Sequence, residues 1–206
     1  MTTYNIETVL TNLKKNHFEP YYFATKQEPI DFLTSQINGK SVGLGDSQTL
    51  WDLQVYDVLR KTNDITDPQH KLPNESFKHA AKRTLLRDVF ITSVNALATT
   101  GEMVNIDGSG NRVAGSLFGS DEVYFVLGTN KITPDLVSAI DRARHVAAPL
   151  NGIRKAGKTP CAIKQDGQCY DCSSPDRICN ALTVYYKKMR NVNRMVVIII
   201  NEELGF

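Results

Sequence analysis

The chain has 206 residues, of which 41% are hydrophobic and 22% are charged, and its formal net charge is +2. These proportions indicate a globular protein with a buried core and exclude a disordered or low-complexity chain. A nearly balanced charge, without interleaved basic and aromatic residues, gives no reason to expect a nucleic-acid partner. No secretory leader is recognisable, and the longest apolar run, residues 195–200, is far below the ~20 residues of a membrane span, so we expect a cytoplasmic protein.

The first half of the chain alternates between helical and strand patterns. Apolar spacing predicts a helix over 3–16, a strand over 21–24, a helix over 30–37 and a strand over 40–45. A third helix starting at 46–47, a fourth helix starting at 74 and a strand over 90–94 follow. Asp46 or Ser47 is expected to cap the third helix, and Asn74 the fourth. The apolar face of the fourth helix would be Phe77, Ala81, Leu85 and Val89.

The second half begins with three predicted strands and ends with one that is apolar on both faces. The three strands cover 102–107, 113–118 and 122–127, joined by tight turns at 108–110 and 119–121. A helix is expected to have Pro134 at its first position. Its buried stripe would be Leu136, Val137, Ile140, Ala143 and Ala147. Residues 195–200 are typical of a central strand covered by helices on both sides.

This order of elements predicts an α/β protein with three layers. Because tight turns join the strands of the middle section, we expect them to be antiparallel and the sheet to be mixed. The only linker-like stretch, residues 62–73, is interpreted as a loop. Residues 1–206 are therefore expected to form one domain, with a cysteine-rich loop at 159–180.

All four cysteines of the chain lie in that loop, with the spacing C-x7-C-x2-C-x6-C: Cys161, Cys169, Cys172 and Cys179. In a reducing compartment such a cluster favours a metal or iron–sulfur site. Two disulfides, or a redox-sensing pair formed by Cys169 and Cys172, are the alternatives. Residues 151–194 hold nine Lys or Arg and three Asp or Glu, a net charge of 9 − 3 = +6 that would suit four thiolates. Because only one CxxC knuckle is present, we expect a [4Fe–4S] cluster, with zinc as the alternative.

A second chemical signal is a glycine-containing turn between a predicted strand and a predicted helix. Its residues Gly43, Gly45, Asp46 and Ser47 would let the backbone approach an anion at the helix N-terminus. The turn has neither the GxGxxG nor the GK[ST] pattern, so it does not specify a nucleotide. A plain tight turn is the alternative.

A third signal consists of polar residues at or just after the ends of two predicted strands. They are Asn105, Asp107, Asn111, Arg112, Asn130 and Lys131. Asp107 and its neighbours are also typical of a hairpin turn. If the strands return to the sheet edge near the glycine turn, Arg112 and Lys131 would complete an anion pocket.

Several of these segments together resemble the LUD-domain family of lactate-utilisation proteins, once catalogued as a domain of unknown function. The segments are 101–113, 128–132, 147–151, 159–161, 174–180 and 201–206. The resemblance implies a fold like that of ribose-5-phosphate isomerase, glucosamine-6-phosphate deaminase and the CoA transferases. It also implies that the turn at 43–47 corresponds to the phosphate-gripping loop of those isomerases.

Three functions are consistent with these observations. The first, which the resemblance implies, is an accessory or electron-transfer subunit in the oxidation of L-lactate to pyruvate, acting with iron–sulfur protein subunits. The second is a structural-zinc protein that binds a small anionic or phosphorylated metabolite. The third is an enzyme of the isomerase or acyl-CoA-transferase type, for which Glu102 is the nucleophile candidate. The histidines His17, His70, His79 and His145 stand singly and are interpreted as surface or core residues.

Overall fold

A computed structural model describes residues 4–206 of the protein. In this part of the chain the α-helices are α1 Ile6–Lys15, α2 Gln27–Gln36, α3 Gln48–Asp52, α4 Val55–Leu59, α5 Phe77–Thr84, α6 Asn111–Leu117, α7 Leu136–Arg142, α8 Ala148–Arg154 and α9 Pro160–Lys164. The strands are β1 Glu19–Phe23, β2 Ser41–Leu44, β3 Asp64–Thr66, β4 Val89–Thr92, β5 Ala96–Ala98, β6 Met103–Asp107, β7 Glu122–Gly128, β8 Ile132–Thr133, β9 Ala181–Tyr185 and β10 Arg194–Ile200. A 3₁₀ turn covers Thr129–Lys131 and a π turn covers Ala143–Ala147. Residue 3, the first of the expected N-terminal helix, lies outside the described residues.

The main sheet has six parallel strands in the order β1-β10-β7-β4-β2-β3. Strand β10 is inside it and pairs with β7 so that Val196 lies opposite Tyr124 and Ile198 opposite Val126. Its residues 195–200 are fully buried, because helices and a second sheet cover both faces. The expectation of a central strand at 195–200 is confirmed.

Two hydrophobic layers enclose this sheet. On one face Leu33 and Ile37 from the α2 region, with apolar residues of α3 and α4, pack on alternate residues of β2, β4, β7 and β10. On the other face Val9 and Leu13 of α1 pack with Phe125 and Val197. Helices α5 and α6 lie on this second face beside β2 and β4. Burial of this apolar surface is the main favourable term in folding.

A smaller sheet in the order β8-β5-β6-β9 contains the antiparallel pairs. One side packs into the same core as α1, and on the other Ala139, Ala143 and Ala148 of the α7–α8 region pack against it. The three-layer α/β architecture with mixed strand directions is therefore confirmed. The expected antiparallel neighbours were wrong in detail, because β6 belongs to the small sheet and β7 to the parallel one.

The strand expected over residues 113–118 is in fact helix α6. The Asp107 carboxylate accepts hydrogen bonds from the backbone N–H groups of Ser109, Gly110 and Val113, which fixes the first turn of the helix. Gly115 then allows α6 to touch the Phe90 ring, where a Cβ would lie only 2.5 Å from the ring. The turn at 108–110 therefore joins a strand to a helix and is not a hairpin.

Smaller corrections concern helix ends and faces. Ser76, not Asn74, caps α5, because its hydroxyl accepts the N–H of His79. Val89 belongs to β4 and Val137 is exposed, so neither joins the helical stripe assigned to it. Asp135 caps α7 in place of an opening at Pro134, and the loop at 62–73 contains β3. Across residues 4–206, none of the helices has the length and apolar character needed to cross a membrane.

Candidate functional site

The candidate site lies where the parallel strands end. Strands β2, β4, β7 and β10 run in the same direction, so the segments after Leu44, Thr92, Gly128 and Ile200 meet at one edge of the sheet. Ligands of open α/β sheets bind at such carboxyl edges. The glycine turn and Lys131, separated by more than 80 residues in the sequence, are brought together here.

The two glycines of the turn are required for packing. A Cβ at Gly43 would lie 2.5 Å from the Thr84 carbonyl oxygen of α5, and one at Gly45 would lie 2.7 Å from the Thr92 hydroxyl. The N–H of Gly45 donates to the Ile91 carbonyl at 2.8 Å, so it is not open to a ligand. Ser47 occupies the N-cap position of the helix after the turn, but its buried side chain makes no capping hydrogen bond.

Asp46 is an ion-pair partner of the basic residues at the end of α8. Its carboxylate contacts Lys155 directly and lies 3.4 Å from Nη2 of Arg154. Burial raises the pKa of Asp46, but the Lys155 hydrogen bond and the charges of Arg154, Lys155 and Arg112 outweigh it, so the net pKa is lowered. The carboxylate is therefore ionised and holds Arg154 and Lys155 in place.

Asp107 plays the same part for Arg112. The Arg112 Nε lies 3.6 Å from the Asp107 carboxylate, and its Nη2 donates to the Ile106 carbonyl at 2.7 Å. These two contacts fix the position of the guanidinium. The neighbouring Asn111 has a buried donor, Nδ2, without a hydrogen-bond partner in residues 4–206. Such a group is ordinarily satisfied by a ligand or a water molecule.

These residues line two adjoining cavities, which we call the cleft. The larger, about 520 Å³, is lined by Asp46, Asp107, Asn111, Arg112, Asn151, Lys155, Lys158 and Asp176, among others. The smaller, about 30 Å³, shares Asp46, Arg112 and Asn151 and adds Ser47, Lys131 and Arg154. Of the ten residues expected to bind an anion, Gly43, Gly45, Asn105 and Asn130 line neither cavity.

Lys131 is 3% exposed and its Nζ lies 2.9 Å from the Thr49 hydroxyl and 3.0 Å from the Ser93 hydroxyl. Burial lowers the pKa of this amine well below its usual range, and the positive charges of Arg142 and Arg112 lower it further. The amine therefore releases its proton at a pH where an exposed lysine retains one. It presents a hydrogen-bonding group at the floor of the cleft.

Asn105 and Asn130 hold the walls of the cleft together. Asn105 is fully buried, accepts the N–H of Asn95 and donates to the Ser93 carbonyl. The amide oxygen of Asn130 accepts the N–H of Leu204. Both residues position the segments that line the cleft without lining it themselves.

Sequence reasoning missed part of the cationic wall. Arg154, Lys155 and Lys158 belong to the basic segment expected to surround the cysteines, but they line the cleft. No local pattern connects Arg154 with Asp46, because 108 residues separate them. Of the cations in that segment, Arg177 is the one that lies among the cysteines.

The four cysteines line one small cavity beside α8. Cys161 is in the first turn of α9 and packs on Gly152, where a Cβ would lie 3.1 Å from its sulfur. Cys169 and Cys172 belong to the following loop, and Cys179 lies two residues before the start of β9. All four are half-buried free thiols, so no disulfide joins them in this structure.

Arg177 organises this loop. Its guanidinium donates to the carbonyls of Cys172 at 2.6 Å and Cys179 at 3.1 Å, and to the Asp171 carboxylate at 3.2 Å. Burial raises the pKa of the Cys179 thiol, the Arg177 charge lowers it, and the neighbouring Cys169 and Cys172 raise it. The net shift is upward, so without a bound cation this thiol resists ionisation.

In kind and number these donors suit a metal centre, since four thiolates are the ligand set of structural zinc and of iron–sulfur clusters. As the side chains lie in this structure, however, no three His, Cys, Asp or Glu residues in 4–206 are arranged to hold a metal ion. The cavity of about 20 Å³ holds one water-sized sphere. A four-iron cluster would require the loop to move outward.

Glu102 is the nucleophile candidate for the third function, an enzyme of the isomerase or acyl-CoA-transferase type. Glu102 lies in the turn between β5 and β6, where its carboxylate accepts a hydrogen bond from Thr100. It lines neither cavity of the cleft. Its location favours a turn residue over a nucleophile.

Comparison with known proteins assigns the family. The sequence model of the family described as the LUD domain matches residues 6–200 of the chain. The chain belongs to the LUD domain family. A DUF162 family protein from Deinococcus radiodurans, with a crystal structure at 1.70 Å resolution, is similar to this LUD protein with a TM-score of 0.55 and 12% identity over 95% of each chain, which shows the shared fold. A comparison with curated proteins gives no match. The LUD domain family as a whole is associated with lactate utilisation.

Proposed function

We propose that this LUD protein is an accessory or electron-transfer subunit of a system that oxidises L-lactate, or a related 2-hydroxy acid, to pyruvate. The observation that carries the proposal is the meeting of all four cysteines at one cavity in a protein of this family. The proposal includes a cytoplasmic location, where thiols stay reduced, and iron–sulfur protein subunits as partners.

Cys161, Cys169, Cys172 and Cys179 would hold the metal centre. When bound, a [4Fe–4S] cluster accepts and donates single electrons. Arg177 anchors the loop through the carbonyls of Cys172 and Cys179, which limits how far these two sulfurs can move apart. Gly152 gives Cys161 room to approach α8. The Arg177 charge offsets part of the negative charge of four thiolates.

The test is anaerobic purification followed by iron, acid-labile sulfide and zinc assays. We expect about four iron and four sulfide per chain with visible absorbance. Replacing all four cysteines by serine should remove the iron, whereas Asn111→Ala in the cleft should retain it. Colourless protein with one zinc per chain, lost in the serine variant, would overturn the electron-transfer role.

The cleft favours a second function, in which the cysteines hold structural zinc and the protein binds a small anionic or phosphorylated metabolite. Arg112, Lys155 and Lys158 line the larger cavity, and the buried Nδ2 of Asn111 is available there to donate a hydrogen bond to an acceptor. Asp46 and Asp107 hold the cations in place and partly neutralise them. A carboxylate or phosphate would then bind by charge-assisted hydrogen bonds.

Thermal-shift titration with phosphate, L-lactate and pyruvate tests this second function, with chloride at equal ionic strength as the reference. Lys158→Met should weaken binding about tenfold through loss of a charged hydrogen-bond donor. Lys14→Met, at an exposed position on α1, serves as the control. An anion site in the cleft would be contradicted if chloride raised the melting temperature as much as the three ligands did. Equal binding by Lys158→Met and Lys14→Met would contradict it as well.

A further inference from the structure

A separate cavity of about 240 Å³ lies beside Gly45, between α3, α4 and the loop after β3. Its wall includes Trp51, Tyr56, Asp67 and His70. We call it the aromatic cavity. None of these residues belongs to the cleft or to the cysteine cavity.

Three aromatic side chains are stacked along one wall. The rings of Tyr56 and His70 are nearly parallel, at 3° with a centroid distance of 3.6 Å, and Trp51 lies 5.9 Å from His70 at 26°. The stack exists because α3 and α4 are joined through Gln54, whose φ of 53° turns the chain sharply between them. That turn brings Trp51 and Tyr56 to the same imidazole.

A buried carboxylate orients the imidazole. Asp67 is almost fully buried, and its Oδ2 lies 2.7 Å from Nδ1 of His70, while Oδ1 accepts the N–H of Gln69 at 2.9 Å. A carboxylate oxygen accepts hydrogen bonds, so we assign the proton of this contact to Nδ1. The second ring nitrogen, Nε2, is then the one that remains for a ligand.

Trp51 provides the open surface of this cavity. It is the chain's single tryptophan and is 51% exposed, although its neighbours Leu50 and Leu53 are buried in the core. A large aromatic ring exposed at the rim of a cavity, beside other stacked rings, is a typical platform for a planar ligand.

We propose that the aromatic cavity binds a planar heteroaromatic ring of the class found in nucleosides and nucleotide cofactors. The ring would stack on Trp51 and form a hydrogen bond through its edge with Nε2 of His70. Because the volume is below the ~300 Å³ of a whole-ligand pocket, the cavity accommodates the ring and not an entire cofactor. Asp57 and Asp67 disfavour a phosphate inside it, so the ring is the part that enters.

The fluorescence of Trp51 provides a direct assay in the full-length protein. Adenosine, guanosine and nicotinamide are titrated separately, with D-ribose as a probe that lacks the ring. We expect saturable quenching by at least one of the three rings and none by ribose. Quenching that rises linearly with every ring, without saturation, would overturn the proposal.

Variants separate stacking from a merely structural role. His70→Ala and Tyr56→Leu should each weaken binding about tenfold, whereas Tyr56→Phe, which retains the ring, should bind like the wild type. Trp51→Leu should lose binding, which calorimetry measures because this variant has no tryptophan to report it. It should keep a cooperative urea transition, which shows that it still folds. Tyr22→Leu, at an exposed tyrosine on β1, is the matched control. Unchanged affinity in Trp51→Leu would place the ligand elsewhere and overturn the proposal.

Discussion

Lys131 offers a test of the electrostatics of the cleft through the pH dependence of stability. Its amine is buried against the hydroxyls of Thr49 and Ser93, and two neighbouring arginines add to the cost of its charge. The unfolded chain has no such cost, so its lysine retains the proton up to an ordinary pKa near ~10.4. Lys131→Met removes this difference in proton binding.

The magnitude follows from proton linkage. Between the lowered pKa of the folded protein and the ordinary pKa, the unfolded state binds one more proton than the folded state. The free energy of unfolding of the wild type therefore rises with pH by up to about 1.4 kcal/mol per unit, relative to the methionine variant. Below the lowered pKa and above the ordinary one, the two curves should run parallel.

Urea denaturation of both proteins at several pH values between ~7 and ~10 measures this slope. Lys61→Met, at an exposed position after α4, reports the effect of removing a surface lysine charge. If the free energy of unfolding of Lys131→Met parallels that of the wild type over the whole range, the buried amine is protonated in the folded state. The reasoning from burial would then be refuted.

Two further predictions concern packing and hydrogen bonding. Gly45→Ala should lower the free energy of unfolding by about 1–3 kcal/mol, because the new Cβ lies 2.7 Å from the Thr92 hydroxyl. Gly157→Ala, whose Cβ meets nothing closer than 3.9 Å, should unfold like the wild type, and equal losses in both variants would contradict the packing argument. Tyr185→Phe should cost about 1 kcal/mol, since the buried hydroxyl lies 2.6 Å from Oγ of Ser116. Tyr186→Phe, on an exposed ring, should cost nothing measurable by the same urea denaturation.

The sequence predicted those parts of the fold that depend on periodicity along the chain. Residues 195–200 are apolar at every position, which only a strand covered on both faces can accommodate, and β10 has that environment. Helices α1 and α2 and strands β2, β4 and β7 lie close to their expected positions for the same reason. The four cysteines line one cavity, but no three His, Cys, Asp or Glu side chains in residues 4–206 are arranged to hold a metal ion, so the metal centre stays a prediction.

Residues 113–118 show where periodicity fails. Their short apolar pattern fits a strand, but the Asp107 carboxylate captures the N–H groups that start a helix. Close contact between Gly115 and Phe90 then selects the helix, and that contact joins residues 25 positions apart. Packing of this kind overrides local preference.

The sequence by itself determined the layered α/β class, the central strand and the family motifs, because each depends on residues close together in the chain. Only the tertiary structure decided which charges meet. Asp46 and Arg154 lie 108 positions apart, yet they share the cleft because parallel strands end at the same edge of the sheet. His70, interpreted as an isolated residue, lies between Tyr56 and Trp51 only because the chain turns at Gln54. The geometry of such sites is set by the packing of distant segments, for which a sequence carries no local signal.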